Sequence, residues 1–233
     1  MDRSHTAEAA ATPTESVVGL CFEGELSAAE VGRIRRSVGA RTALQVPPAV
    51  GAAYDRAGQA GFTKSSRPEV GALMAVLAAA VPAGGSVLEV GTGVGVGLAW
   101  VVHGLRGRTD VDVVSVEIDD GNAEVASRAD WPPWVTLVVG DARELLPGMG
   151  THDLVFLDIP GSLKASVLEE AVTALKPGGQ LVMDDMNPCW NRSRAGDDPT
   201  GRRDPDRLLE DPRVVCAMLR YSSGMILATR LRN

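Results

Sequence analysis

The residues of this chain best suited to chemistry are carboxylates and glycines standing at the ends of short apolar runs. The first such run, Val87-Leu88, leads into Glu89-Val-Gly91-Thr92-Gly93-Val-Gly95-Val-Gly97, after which a helical pattern begins. Glycines at such a turn let the backbone approach a ligand without a Cβ clash, and the helix N-terminus behind them offers free N–H groups. A second run ends in Glu117-Ile118-Asp119, where a carboxylate is placed to accept two adjacent hydroxyls of a ligand. A third ends in Gly140-Asp141-Ala142, which offers an Asp and a backbone N–H to the edge of an aromatic base. Two more runs end in Asp158 and in Asp184-Asp185. Hard carboxylate oxygens in that number suit Mg²⁺ or another divalent cation; the same groups can also take a proton or orient a substrate.

The elements that must position these residues are legible as a rhythm. Val87–Val90, Val111–Ile118, Val135–Val139, Leu154–Leu157 and Gln180–Met183 are apolar almost without alternation, the mark of strands buried on both faces. Helical stretches near 95–106, 120–129, 142–147 and 162–175 separate them. The alternation predicts a doubly wound α/β fold, Rossmann-like, with a mostly parallel sheet of seven strands. Val214–Tyr221 and Met225–Leu231, joined by Ser222-Ser223-Gly224, form a closing hairpin, so one strand of that pair must run antiparallel. Pro68 suits the first turn of a further helix carrying Val70, Leu73, Met74, Leu77 and Val81, with Ser66 as its candidate cap. Upstream, Ser27-Ala-Ala-Glu30 has the form of a capping box and predicts a helix near 28–38, and 49–66 reads as a helical or irregular connector. The expected organisation is a disordered tail over 1–15, an N-terminal helical extension over 16–61 and an α/β domain over 62–233. The long polar stretch 186–204 within that domain is expected to form a substrate lid, with Trp190 placed to cover an aromatic acceptor.

A dinucleotide site uses the same turn with G-x-G-x-x-G spacing, but Val96 stands where its third glycine belongs, and Glu89 puts an acid at the strand end. Together the motifs resemble the class I S-adenosylmethionine-dependent methyltransferases. The resemblance spans about residues 62–231 and includes Glu89-x-Gly91-x-Gly93-x-Gly95, Glu117, Gly140-Asp141, Asp153–Asp158, the loop Leu175-Lys-Pro-Gly-Gly179 before the fifth strand, and the closing hairpin. It implies that Glu89, Gly91, Thr92, Gly93 and Gly95 line the methionine part of S-adenosylmethionine. Glu117 and Ile118 would then face the ribose, and Gly140, Asp141 and Ala142 the adenine. Ser66 closes the methionine end in that reading, and Asp158 reaches the cofactor from the fourth strand.

Asp158, Asp184 and Asp185 further resemble the catechol and caffeoyl-CoA O-methyltransferase branch, where an Asp and an Asp-Asn pair bind a divalent cation. The resemblance implies Asp158, Asp184 and Asp185 as metal ligands and catalytic residues, and an O-methyltransferase acting on a small hydroxylated acceptor. Two departures stand out. Asp185 replaces the Asn, and the branch's lysine three residues past its first Asp is here Gly161, with Lys164 one helical turn later. An N-methyltransferase or a tRNA methyltransferase with the same cofactor, a nicotinamide-dependent oxidoreductase and a non-catalytic cofactor-binding protein remain as alternatives.

Bulk properties narrow the partners. The 233 residues carry a net charge of -7 and 4 % aromatics, a poor match to a nucleic-acid surface. Three scattered cysteines and three histidines form neither a disulfide framework nor a zinc pattern, which predicts a reducing, cytoplasmic setting. No apolar run reaches the roughly 20 residues of a membrane span. The N-terminal residues have no apolar signal core. The expected partner is a small-molecule acceptor, and the N-terminal helix is expected either to pack on the core or to meet a second copy of the chain in a homodimer.

Overall fold

The computed structural model describes residues 45–186 and 204–232. The expected tail, the helix near 28–38 and nearly all of the expected lid, Trp190 included, lie outside the described residues. The chain forms α1 (Pro48–Gln59), α2 (Pro68–Ala79), β1 (Ser86–Val90), α3 (Val96–Gly104), β2 (Asp112–Glu117), α4 (Asp120–Ser127) and β3 (Val135–Val139). After these come α5 (Ala142–Leu145), β4 (His152–Leu157), α6 (Gly161–Thr173), β5 (Leu175–Met183), α7 (Asp204–Leu209), β6 (Val214–Leu219) and β7 (Met225–Arg230). Among the described residues no helix is long and apolar enough to cross a membrane.

One seven-stranded sheet runs in the order β3-β2-β1-β4-β5-β7-β6. The pairs β1–β2, β1–β4, β2–β3 and β4–β5 are parallel, while β7 runs antiparallel to both β5 and β6. Six strands therefore point one way and β7 alone is reversed, as the hairpin required. The strand order reverses beside β1, so the crevice where an open α/β sheet takes its ligand lies at the C-terminal ends of β1, β2 and β4.

Strand alternation sorts the apolar residues onto two faces. Leu88, Val90, Val155, Leu157, Leu181 and Met183 pack with Val167, Leu168 and Ala171 of α6. Val87, Leu154, Phe156 and Val182 pack on the opposite face with Val70 and Met74 of α2 and Leu98 and Val101 of α3. Each fully buried Leu or Phe of this set contributes about 1.5–3 kcal/mol relative to exposure. Glu89 shares the face of Val87, so the sheet carries its carboxylate into the interior beside α3.

The connector is largely helical, as expected: Pro47-Pro48 opens α1, whose Val50, Ala53 and Ala57 pack against Val94, Val96, Ala99 and Trp100. Two local expectations are corrected. Ser66 is not the cap of α2; Arg67 holds that position in extended backbone with no side-chain hydrogen bond. Leu175–Gly179 is not a loop but the first half of β5, with a register shift opposite His152 and Leu154.

Candidate active site

Hydrogen bonds fasten the glycine turn to β2. The amides of Gly91 and Thr92 donate to the Val116 carbonyl at 2.8 and 3.1 Å. Gly91 has φ +100°, and a Cβ there would collide with the Asp158 carbonyl, so β1 and β4 can close on each other only around glycine. Gly95 has φ +88° and caps α3 in the left-handed region, where other residues are strained. The turn frames a cavity of about 330 Å³ at the ends of β1, β2 and β4, a size suited to a cofactor.

Most of the residues expected at a cofactor site meet here. Ser66, Gly91, Thr92, Gly93, Glu117, Ile118, Gly140, Asp141, Ala142 and Asp158 all line the cavity. Glu117 is buried, and its two oxygens accept the Gly93 amide at 2.6 Å and the Asp119 amide at 3.0 Å. Each oxygen keeps a lone pair, which is what an adjacent pair of ligand hydroxyls needs. Asp141 caps α5 through the Arg143 amide, and the Arg143 guanidinium holds its carboxyl well below the usual carboxylate range. A base edge therefore meets an Asp–Arg pair rather than the bare Asp of the sequence reading.

Glu89 and Gly95 stand behind the wall. Glu89 is fully buried, and its Oε2 accepts the Ser115 hydroxyl at 2.5 Å, which in turn pairs with Thr92. Its Oε1 has no partner and lies against Gly97, whose missing Cβ makes the room. Burial, with added repulsion from Asp158 and Glu117, pushes the Glu89 carboxyl up to about 8. An orphaned buried oxygen one backbone thickness behind the cavity is an unfilled demand for positive charge. The cavity, Glu117 and this orphan together fit a cofactor with a ribose and a cationic end.

Asp158 is partly buried in the wall, and its Oδ2 accepts the Ser66 hydroxyl at 2.6 Å. Ser66 is itself placed by Tyr54, whose hydroxyl donates to the Ser66 carbonyl at 2.8 Å. Burial, then the nearby Asp184 carboxylate, raises the Asp158 carboxyl to about 7, although Ser66 and Lys164 oppose the shift. A side chain of that proton affinity beside a ligand cavity can take a proton from a hydroxyl near neutrality.

Of the expected metal set, Asp158 lines the cavity, and Asp184 and Asp185 do not. Asp184 is buried, and its Oδ1 accepts the Asp185 amide at 2.7 Å and the hydroxyl of Ser223 in the β6–β7 turn. That bond, with the Met186 amide on the Gly224 carbonyl at 2.9 Å, latches the end of β5 to the hairpin. Asp185 is exposed, with φ +54°. Among the described residues no group of three or more His, Cys, Asp or Glu is arranged to hold a metal ion. Asp158, Asp184 and Asp185 share a sheet edge, where Asp158 Oδ2 accepts from Ser66 and Asp184 Oδ1 from Asp185 and Ser223.

Sequence reasoning missed Phe62, Lys64, Asn122 and Arg143, which also line the cavity. Phe62 packs beneath Gly93 and comes from the connector, where nothing in its spacing marked it.

A doubly wound sheet with one reversed strand, a glycine turn lacking the third dinucleotide glycine, and acids at the ends of β1, β2 and β4 define the Rossmann-like methyltransferase class. The family described as "Methyltransferase domain" matches residues 88–186. A relative from Mycobacteroides abscessus, named "Putative O-methyltransferase", is 30 % identical over 203 residues, covering 82 % of this chain and 92 % of the relative. The cofactor-bound structure of Rv0187 from MTB shares 26 % identity at a TM-score of 0.71, over 90 % of this chain and 100 % of that one. The O-methyltransferase TomG from Streptomyces achromogenes, solved with SAM, shares the fold at a TM-score of 0.67 and 22 % identity, over 86 % and 96 % of the two chains. The chain belongs to the methyltransferase-domain family.

Proposed function

We propose that the protein transfers a methyl group from S-adenosylmethionine to an oxygen of a small hydroxylated acceptor, with Asp158 as the base. The observation that carries this reading is the cavity at the ends of β1, β2 and β4, where Glu117 has its outer lone pairs open and Asp158 stands at the wall. Bound S-adenosylmethionine supplies a methyl group on a sulfonium, electrophilic enough to need no further activation. The protein then has two tasks, alignment and deprotonation. Glu117 and the Gly91–Gly93 backbone fix one end of the ligand, and Asp141–Arg143 bounds the other. Asp158, steadied by Ser66, accepts the proton of the acceptor hydroxyl as the oxygen attacks. The O-methyltransferase relative supports oxygen as the acceptor atom, and the net charge of -7 favours a small acceptor over RNA.

Labelled methyl transfer to a panel of phenols and other hydroxylated acceptors tests this directly. Asp158→Asn should lower kcat by about 10²–10³-fold while S-adenosylhomocysteine still binds, the size expected for loss of a positioned base. Wild-type protein that fails to bind S-adenosylhomocysteine in calorimetry refutes the cofactor assignment, and an Asp158→Asn enzyme of full activity refutes the base.

A further inference from the structure

The ends of β4 and β5 already hold a cation. Lys164, the fourth residue of α6, is fully buried, and its Nζ donates to the Asp184 carbonyl at 2.6 Å. Helical side chains lean toward the N-terminus, so a lysine in the first turn of α6 reaches back past Pro160 to the strand ends. A buried ammonium keeps its charge only beside anions. The anions are Asp158 and Asp184, and the lysine charge favours the ionised form of each. The remaining groups at this edge are Ser66 on Asp158, Ser223 on Asp184, and exposed Asp185. A hard divalent ion needs carboxylate oxygens open to it and room for water. At this edge Asp158 Oδ2 and Asp184 Oδ1 each accept a hydroxyl, and the interior position between the strand ends holds the Lys164 ammonium on the Asp184 carbonyl.

We propose that Lys164 stands in for a metal ion: its ammonium is the resident positive charge at the acceptor end of the site, balancing Asp158 and Asp184 and pinning the end of β5, so that methyl transfer proceeds without a divalent cation. The proposal rests on the methyl-transfer reading above. Lys164 does not line the cavity, so it is a positioning residue that acts through Asp158 and the β5 end. Its distance along the chain from Asp158 conceals this, because the position matching a metal-branch lysine is filled by Gly161.

The test uses the full chain. Mn²⁺ titration followed by electron paramagnetic resonance should find no stoichiometric site in the wild type, and activity in EDTA or in Mg²⁺ should agree within about twofold. A bound Mn²⁺, or activity lost in EDTA and restored by Mg²⁺, overturns the proposal. Lys164→Met should lower kcat roughly 10–100-fold with the KM for S-adenosylmethionine within about threefold, as for loss of an interaction that matters in the transition state. Lys164→Arg should retain more activity than Lys164→Met, and methylammonium should restore part of the activity of Lys164→Ala. Equal losses in the Arg and Met variants, or a Met variant with wild-type kcat, overturn the assignment. If the variants do not fold, the Mn²⁺ titration of the wild type decides alone. Failure of S-adenosylhomocysteine to bind would instead strike the methyl-transfer reading, while the Mn²⁺ result would still bear on Lys164.

Discussion

Cofactor binding should expel a proton from Glu89. With its carboxyl pushed up to about 8 by burial and by Asp158 and Glu117, Glu89 is about nine-tenths protonated at pH 7 in the empty protein. A ligand cation in the cavity stands one backbone thickness away, across Gly97. At roughly 6 Å and an effective dielectric of about 20, a unit charge is worth about 2.8 kcal/mol, which lowers the Glu89 pKa by about 2. Glu89 then becomes about nine-tenths ionised in the complex at pH 7, so roughly 0.8 proton leaves per ligand bound. Calorimetry of S-adenosylhomocysteine in two buffers of different ionisation enthalpy counts that proton. The same linkage strengthens binding by about 25-fold as pH rises from 6 to 8, and Glu89→Gln should abolish both effects. The sign can be checked on the empty protein. A carboxyl whose folded pKa lies above its unfolded value stabilises the fold fully below the unfolded value, and that contribution is lost as pH rises through about 8. The Tm advantage of Glu89→Gln over wild type should therefore grow between about pH 4.5 and 8. A proton count near zero at pH 7 with unweakened binding would refute the reasoning.

Two further outcomes follow from the cavity wall. Glu117→Ala should weaken S-adenosylhomocysteine binding by well over tenfold, because each hydrogen bond to a carboxylate is worth about 1.5–3 kcal/mol, and isothermal calorimetry reads the loss. A change below about threefold would remove Glu117 from the ligand contact. Gly91→Ala should cost about 2–4 kcal/mol in chemical denaturation, since φ +100° and the Asp158 carbonyl both oppose a Cβ. A loss under about 1 kcal/mol would mean that β1 and β4 can part there without strain.

The sheet and the cofactor end of the site were legible because their signals are local. Apolar runs, strand-end acids and glycine spacing each lie within a few residues, and Glu89, Glu117 and Asp158 fell where those runs ended. What escaped depends on pairings across the fold. Ser66 reads as a cap because it precedes Pro68, yet its hydroxyl goes to Asp158, 92 residues away. Leu175–Gly179 reads as a loop from its Pro and glycines, but Leu175 pairs with His152 and the following residues bulge within β5 before Gln180 pairs with Leu154. The three carboxylates at the ends of β4 and β5 are parted for a similar reason. Adjacency in sequence puts Asp184 and Asp185 together, whereas the backbone sends one into the hairpin latch and the other to solvent. The edge strands β3 and β6 also depart from continuous burial, leaving Val139 and Val215 exposed, because each has only one strand neighbour.

The charges of the crevice bear on which cofactor it admits. Glu89, Glu117 and Asp158 converge on one cavity, and each is stabilised differently. Glu117 is held by two amides, Asp158 by Ser66 and the Lys164 field, and Glu89 by the Ser115 hydroxyl and a carboxyl that burial pushes up to about 8. A pyrophosphate brought to the same turn would face these carboxylates beside the guanidinium of Arg56, whose Nε donates to the Val94 carbonyl of the turn at 3.2 Å. S-adenosylmethionine meets the opposite field, because its sulfonium and ammonium are both positive. Transfer of the methyl group converts the sulfonium to a neutral thioether and removes one of those charges. The crevice therefore attracts the methyl donor more strongly than the spent product, and the acids that draw the cofactor in also favour its release after one turnover.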